Sequence, residues 1–203
     1  DMGIITNVYE AHIEYFGTID SVAETKSALF SSLPESGTAF VNRDDEYIPK
    51  MYIPCNRVEY SFSRSADFNG EWSKDKQGII INGSFVELSS PSHALGMNVL
   101  AVFSIASHLG MKPSSIQKQI ESFQTPSGRG NVINLQDVVI INDSYNANLE
   151  SARSGINNLA SLSGKSRKIA VIGDMLELGV MDKEHHRVLG KHLSSKKVDA
   201  VFA

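Results

Sequence analysis

The chain has 203 residues, 41% apolar and 21% charged, with a net charge of −4 and a pI near 5.9. That is enough for one large or two small packed domains, and it argues against a nucleic-acid or anionic-membrane partner held by bulk charge. Cys55 is the lone cysteine, which excludes an internal disulfide and a cysteine metal cage, and no apolar run suffices for a membrane span. The opening DMGIITNVYEAH lacks the features of a secretory leader, so a reducing cytoplasm is the expected compartment.

Residues 3–8 read as a buried strand and residues 18–33 as a helix, with Ser21 and Glu24 at capping-box spacing and Pro34 beyond its end. Residues 37–42 form a strand closed by the polar run RDDE. Residues 58–63 and 78–88 are β-rich, and Asn82-Gly83 in the second is a two-residue hairpin signal. A long apolar helix spans 92–110, ending at Gly110, and Pro113 opens the next. QTPSGRGN at 124–131 is the best domain boundary. Beyond it the rhythm becomes strand 138–142, helix 149–162, strand 168–173, helix 183–195 and strand 198–203. Such a β-α-β-α-β order predicts a parallel sheet, and its thinness suggests that both ends are cut from something larger.

In parallel α/β sheets ligands gather at the carboxyl ends of strands, where IINDSYNANLES places Asp143, Ser144, Tyr145, Asn146 and Asn148. An Asp and several amides at a helix start suit a ribose, an adenine edge or a phosphate, while Asn146 or Asn148 could equally cap the helix. Arg129 lies between glycines, as a ligand contact or as a surface linker residue. Lys26 falls on the apolar stripe of Val22, Leu29 and Leu33. It either snorkels to water or sits partly buried with a lowered pKa, a neutral amine able to act as base, form an imine or take up carbon dioxide. His12, between Glu10 and Glu14, is either a cation ligand or a hydrogen-bonded loop histidine. Asp174 and Glu177 in GDMLELG either meet a ligand amine or form a turn. His185, His186 and His192 lack the four-residue spacing of helical zinc ligands and read as partly exposed. GKS at 164–166 is a decoy, since a phosphate loop needs glycine where Leu159 stands.

Taken together, ITNVYEAHIEYFGTIDSVAETKSALF, SHALGMNVLAVFSIASHLG and GRGN…VVIINDSYNANLESA…IAVIGDMLELG resemble the Mur ligase family. DSYNAN followed by GDMLELG is similar to the branch that adds D-alanyl-D-alanine. The resemblance implies an α/β fold: a partial central ATP-binding domain with a mixed sheet over 1–126, then a partial Rossmann-like parallel C-terminal domain over 127–203. It implies ATP-dependent amide-bond formation through an acyl phosphate, joining D-alanyl-D-alanine to UDP-MurNAc-tripeptide in peptidoglycan synthesis, with ATP and Mg2+ as cofactors and a monomeric parent enzyme. His12 resembles the family's magnesium-ligand histidine, and Lys26 the lysine whose carbamate helps hold a second magnesium. Asn98 resembles the adenine-contacting asparagine. Arg129 and Asp143 resemble the pair that meets the nucleotide's phosphate and ribose, with Asn146 and Asn148 lining the same cleft.

There are departures: the phosphate loop, the upstream glutamate that binds magnesium and the UDP-sugar-binding domain have no counterpart in these residues, and the interval from His93 to Asn98 is one residue longer than the family pattern. Inactivity of these residues alone is therefore the expectation. The alternatives are another amide ligase of the superfamily, of folylpolyglutamate or cyanophycin type, and a non-catalytic nucleotide-binding module.

Overall fold

The computed structural model describes residues 1–10, 13–89, 92–162 and 167–203. Its contacts divide it into two compact units, one of Asp1–Tyr9 with Thr18–Ser122, the other of Glu10–Gly17 with Phe123–Ala203. His12 and the 164–166 triplet lie outside the described residues.

The first unit is built on a six-stranded sheet in sequential order: β1 (Met2–Ile5), β2 (Thr38–Asn42), β3 (Asn56–Ser61), β4 (Phe68–Trp72), β5 (Gly78–Ile81) and β6 (Ser84–Glu87). The first four pair in parallel, and β4, β5 and β6 pair antiparallel. β2 is buried along its whole length, as a strand covered on both faces must be. Alternation sends Phe40 into one core with Tyr60, Ile79, Ile81 and Leu100, and sends Ala39 and Val41 into another with Ile5, Val22 and Phe30. The helix α2 (Ile19–Ser31) supplies Val22, Ala23 and Phe30 to the second core. On the other face, α3 (His93–His108) packs across the sheet, and α4 (Pro113–Ser122), opened by its proline, lies against β6.

Local details depart from expectation in instructive ways. The cap of α2 is Thr18, whose hydroxyl accepts from Ser21 N at 3.2 Å, so Ser21 lies inside the first turn and no capping box with Glu24 forms. Leu29 is 44% exposed, and the buried face runs through Val22, Ala23 and Phe30, with half-buried Lys26 between them. Asn82 and Gly83 both take positive φ, 46° and 83°, as a primed hairpin turn requires. β4 had no counterpart in the sequence reading; its short FNGEW segment carries Asn69 and Gly70, poor strand formers held by partners on both sides.

In the second unit a short helix, α1 (Ile13–Phe16), precedes β7 (Asn131–Asn134), β8 (Val139–Asn142), α5 (Leu149–Ser161), β9 (Ile169–Val171), α6 (Asp182–Ser194) and β10 (Ala200–Phe202). β9 and β10 pair in parallel. β8 pairs antiparallel with β7, so the first strand of the expected parallel series sits in a hairpin. The residues just after the glycine-rich stretch supply that partner, and a tight hairpin forms more readily than a distant pairing. Ile156, Met175, Leu178 and Leu189 form the core, and a 3-10 turn at Gly179–Met181 leads into α6.

Candidate functional site

In the first unit polar groups collect beyond the carboxyl ends of β1 and β2. The sequence leaves β1 as Thr6-Asn7 and β2 as Asn42-Arg43-Asp44-Asp45. Asn42 Nδ2 donates to Thr6 O at 2.8 Å, and Asp45 takes three backbone N–H groups, from Val8, Tyr47 and Ile48. Both oxygens of this buried carboxylate are thus committed to holding the chain. Lys26 reaches over from α2, and its Nζ donates to Asn7 O at 2.8 Å. Burial depresses the Lys26 pKa, while the charge of Asp45 opposes the shift. The result is an ammonium pinned to a carbonyl, more readily deprotonated than an exposed lysine. Asn98 lies exposed on α3. Asn7 and Asp45 are the groups that act on Lys26, and sequence alone does not single them out. For Asp45 the available signal was the polar run that ends the fully buried β2.

The second unit gathers Arg129, Asp143 and Tyr145. Gly128 and Gly130 take φ of 79° and 76°, which turns the chain sharply around Arg129. Gly128 O accepts from Tyr145 N at 2.9 Å and Gly130 N donates to Asn142 O at 2.8 Å, fixing the glycine loop to the end of β8. A Cβ on Gly128 would meet Tyr145 N at 3.3 Å. The Arg129 guanidinium then lies over the Tyr145 ring, 3.8 Å from its centroid. Asp143 has its pKa raised by partial burial, and the Arg129 charge counters that rise. Gly155 on α5 leaves room beside it: a Cβ there would lie 3.7 Å from Asp143 Oδ2.

The two asparagines differ. Asn148 is the N-cap of α5: its Oδ1 accepts from Ser151 N at 2.9 Å, and Ser151 Oγ accepts from Asn148 N in return. Only its amide N–H groups remain for a ligand. Asn146 is exposed, and its Oδ1 accepts from Ala147 N.

The loop after β9 is held by α6. Met175 N donates to His186 Nε2 at 3.2 Å, while His186 Nδ1 donates to Asp182 O. Asp174, Lys183, His186 and Arg187 line an open depression of about 600 Å³. Glu177 takes a positive φ of 61°, so the turn reading of this acidic pair describes its backbone. His185 corrects the sequence reading: it is 3% exposed, not partly exposed, and its Nε2 lies 3.0 Å from Glu10 Oε2. Among the described residues no three His, Cys, Asp or Glu side chains gather as a metal cage, and no helix is long and apolar enough to cross a membrane.

The first unit is thus a parallel-rich α/β body with a half-buried lysine beyond its strand ends, and the second carries an arginine, a tyrosine and an aspartate at a strand-to-helix turn. Residues 1–106 match the Mur ligase middle domain and residues 128–203 the Mur ligase glutamate ligase domain, and the chain belongs to the Mur ligase family. It is 28% identical to the UDP-N-acetylmuramoyl-tripeptide–D-alanyl-D-alanine ligase of Bacillus subtilis (strain 168), with 100% of this chain and 45% of the relative covered. Identity to the ligase of the same name from Synechocystis is 30%, covering 99% of this chain and 44% of the relative. Among solved structures, MurF from Acinetobacter baumannii superposes with a TM-score of 0.87 at 26% identity, covering 98% of this chain and 46% of that one. MurF ligase from Thermotoga maritima in complex with ADP gives 0.83 at 28% identity, covering 98% and 47%. The chain thus spans about half the length of the curated relatives it matches.

Proposed function

We propose that these residues serve an ATP-dependent amide ligase that joins D-alanyl-D-alanine to UDP-MurNAc-tripeptide in the cytoplasm, as a step of peptidoglycan precursor synthesis. The observation that carries the reading is the Arg129–Tyr145–Asp143 group at the glycine-bounded end of β8. It unites a cation for phosphate with a carboxylate for sugar hydroxyls. Support comes from relatives named for that reaction and from the ADP complex of a neighbour.

In this reading ATP phosphorylates the terminal carboxylate of the tripeptide, the dipeptide amine attacks the acyl phosphate, and phosphate leaves. Arg129 offsets charge on the phosphates, Asp143 accepts from the ribose, and Asn98 meets the adenine edge. Asn146, and the free N–H groups of Asn148, add donors beside the nucleotide. Mg2+, when bound, neutralises phosphoryl charge. His12 would hold it together with Lys26 once the lysine carries a carbamate. The chemistry of Lys26 fits that role: burial lowers its pKa and so enlarges the share of neutral amine, whose nitrogen adds to the carbon of CO2 with loss of one N–H proton.

The test is a substrate panel on the ligase that contains these residues, following ATP-dependent phosphate release with D-alanyl-D-alanine or glutamate as acceptor. Release with the dipeptide alone is expected. Release with glutamate would point to a folylpolyglutamate or cyanophycin type of ligase, and nucleotide binding without release to a non-catalytic module; either result overturns the reading. The 203 residues contain no complete phosphate loop. The isolated chain is therefore expected to release no phosphate from ATP.

A further inference from the structure

His185 is buried on α6, and nothing in the functional reading uses it. It shares the buried face of the helix with Leu189, one turn away. An apolar side chain at 185 would suit that face without cost. Instead the ring keeps a buried Nδ1 without a hydrogen-bond partner among the described residues. A buried ring nitrogen left unpaired is a penalty that packing does not explain. What the ring gains is the contact of its Nε2 with Glu10 Oε2 at 3.0 Å. Glu10 opens the segment Glu10–Gly17, which the second unit holds at two further points. Glu14 N donates to Glu177 O at 3.2 Å, and Gly179 approaches so closely that an added Cβ would meet Glu14 Cα at 3.3 Å. The anchors at Glu10 and Glu14 bracket residue 12 in the sequence.

We propose that His185 is a positioning residue: by donating Nε2–H to Glu10 it fixes Glu10 and Ile13–Gly17, and metal binding through His12 depends on that anchor. The first part rests on the geometry alone. The second rests on the functional reading, in which His12 is a metal ligand.

Two measurements on the 203-residue chain separate them. Amide hydrogen exchange is followed over Ile13–Gly17 in the wild type and in His185→Leu, His185→Gln and Glu10→Ala. Leucine keeps the apolar bulk and removes the donor, while glutamine restores a donor of similar reach. Exchange about tenfold faster in His185→Leu and Glu10→Ala, with wild-type rates in His185→Gln, is expected for a segment released locally. Wild-type rates in His185→Leu, or fast exchange in His185→Gln, would overturn the donor role. The second measurement titrates Mn2+ against the chain with 15N-labelled histidine rings and reads paramagnetic broadening of the His12 signal. The midpoint is expected to move to about tenfold higher Mn2+ in His185→Leu and to return in His185→Gln, as a misplaced ligand and its supporting shell dictate. An unmoved midpoint would overturn the control of His12. A His12 signal that Mn2+ never broadens in the wild type would remove the metal reading and the control of His12 built on it, while the exchange result would still decide whether His185 fixes the segment.

Discussion

Lys26 illustrates how one side chain carries two constraints. Its ammonium donates to the backbone carbonyl of Asn7, and its burial lowers the pKa below the ordinary 10.5. The native chain therefore releases this proton at a lower pH than the unfolded chain does, so stability rises as pH climbs through the interval below 10.5. Lys26→Met removes that rise, and urea unfolding across mildly alkaline pH measures it; an unchanged slope would contradict the burial argument. With 13C-labelled bicarbonate the same lysine is expected to give a carbamate carbon resonance that Lys26→Arg abolishes. Tyr60 is the opposite case. Its hydroxyl is buried without a partner among the described residues, and burial with the charges of Asp45 and Asp44 pushes its pKa upward. Since no hydrogen bond is lost, Tyr60→Phe is expected to leave stability unchanged or to raise it by up to about 1 kcal/mol. A loss of stability in chemical denaturation would show that the hydroxyl has a partner after all.

Elements were legible where local chemistry decides them and opaque where distant partners do. Asn82-Gly83 announced its hairpin because few other residue pairs tolerate two successive positive φ values. Pro113 announced the start of α4 for the converse reason, its fixed φ and missing N–H. β4 and β7 were invisible: Gly70 and Asn69 weaken the first, and the second begins inside what read as a boundary. Each becomes a strand through its neighbours' hydrogen bonds. Thr18 was within reach of sequence, yet Ser21 with Glu24 offered the fuller motif, and only the backbone geometry decided between them. Thr18→Ala is accordingly expected to cost about 1 kcal/mol, and Ser21→Ala markedly less. Equal losses in the two variants would return the cap to Ser21. Gly78 gives a sharper test of the β5–β6 ladder. A Cβ there would stand 2.3 Å from Val86 O, a backbone atom with no room to retreat. Gly78→Ala should therefore break the ladder, seen as lost amide protection over Ser84–Glu87.

Among the described residues, the site residues read from the sequence fall into two groups, each inside its own unit: Lys26 and Asn98 in one, Arg129, Asp143, Asn146 and Asn148 in the other. Sequence pairs Arg129 with Asp143 only through the family resemblance; taken alone, the glycines around 129 and the polar turn after 142 mark no more than two chain reversals. His185 could not be paired with Glu10, since their separation hides the contact and a helical histidine reads by default as a surface residue. The cores also separate by unit. Leu100 lies in a core drawn from the six-stranded sheet, and Leu189 in the smaller one of Ile156, Met175 and Leu178. Truncating either buried leucine removes apolar contacts and leaves a cavity, at a cost of about 2–5 kcal/mol. That cost falls on the unit whose core is opened. Leu189→Ala is thus expected to abolish the amide protection of α5 and α6 while α3 keeps its own, and Leu100→Ala to do the reverse. Loss of protection in both units from either single substitution would mean that the chain unfolds as one cooperative body, and that Arg129 and Asp143 of the second unit cannot be altered without disturbing Lys26.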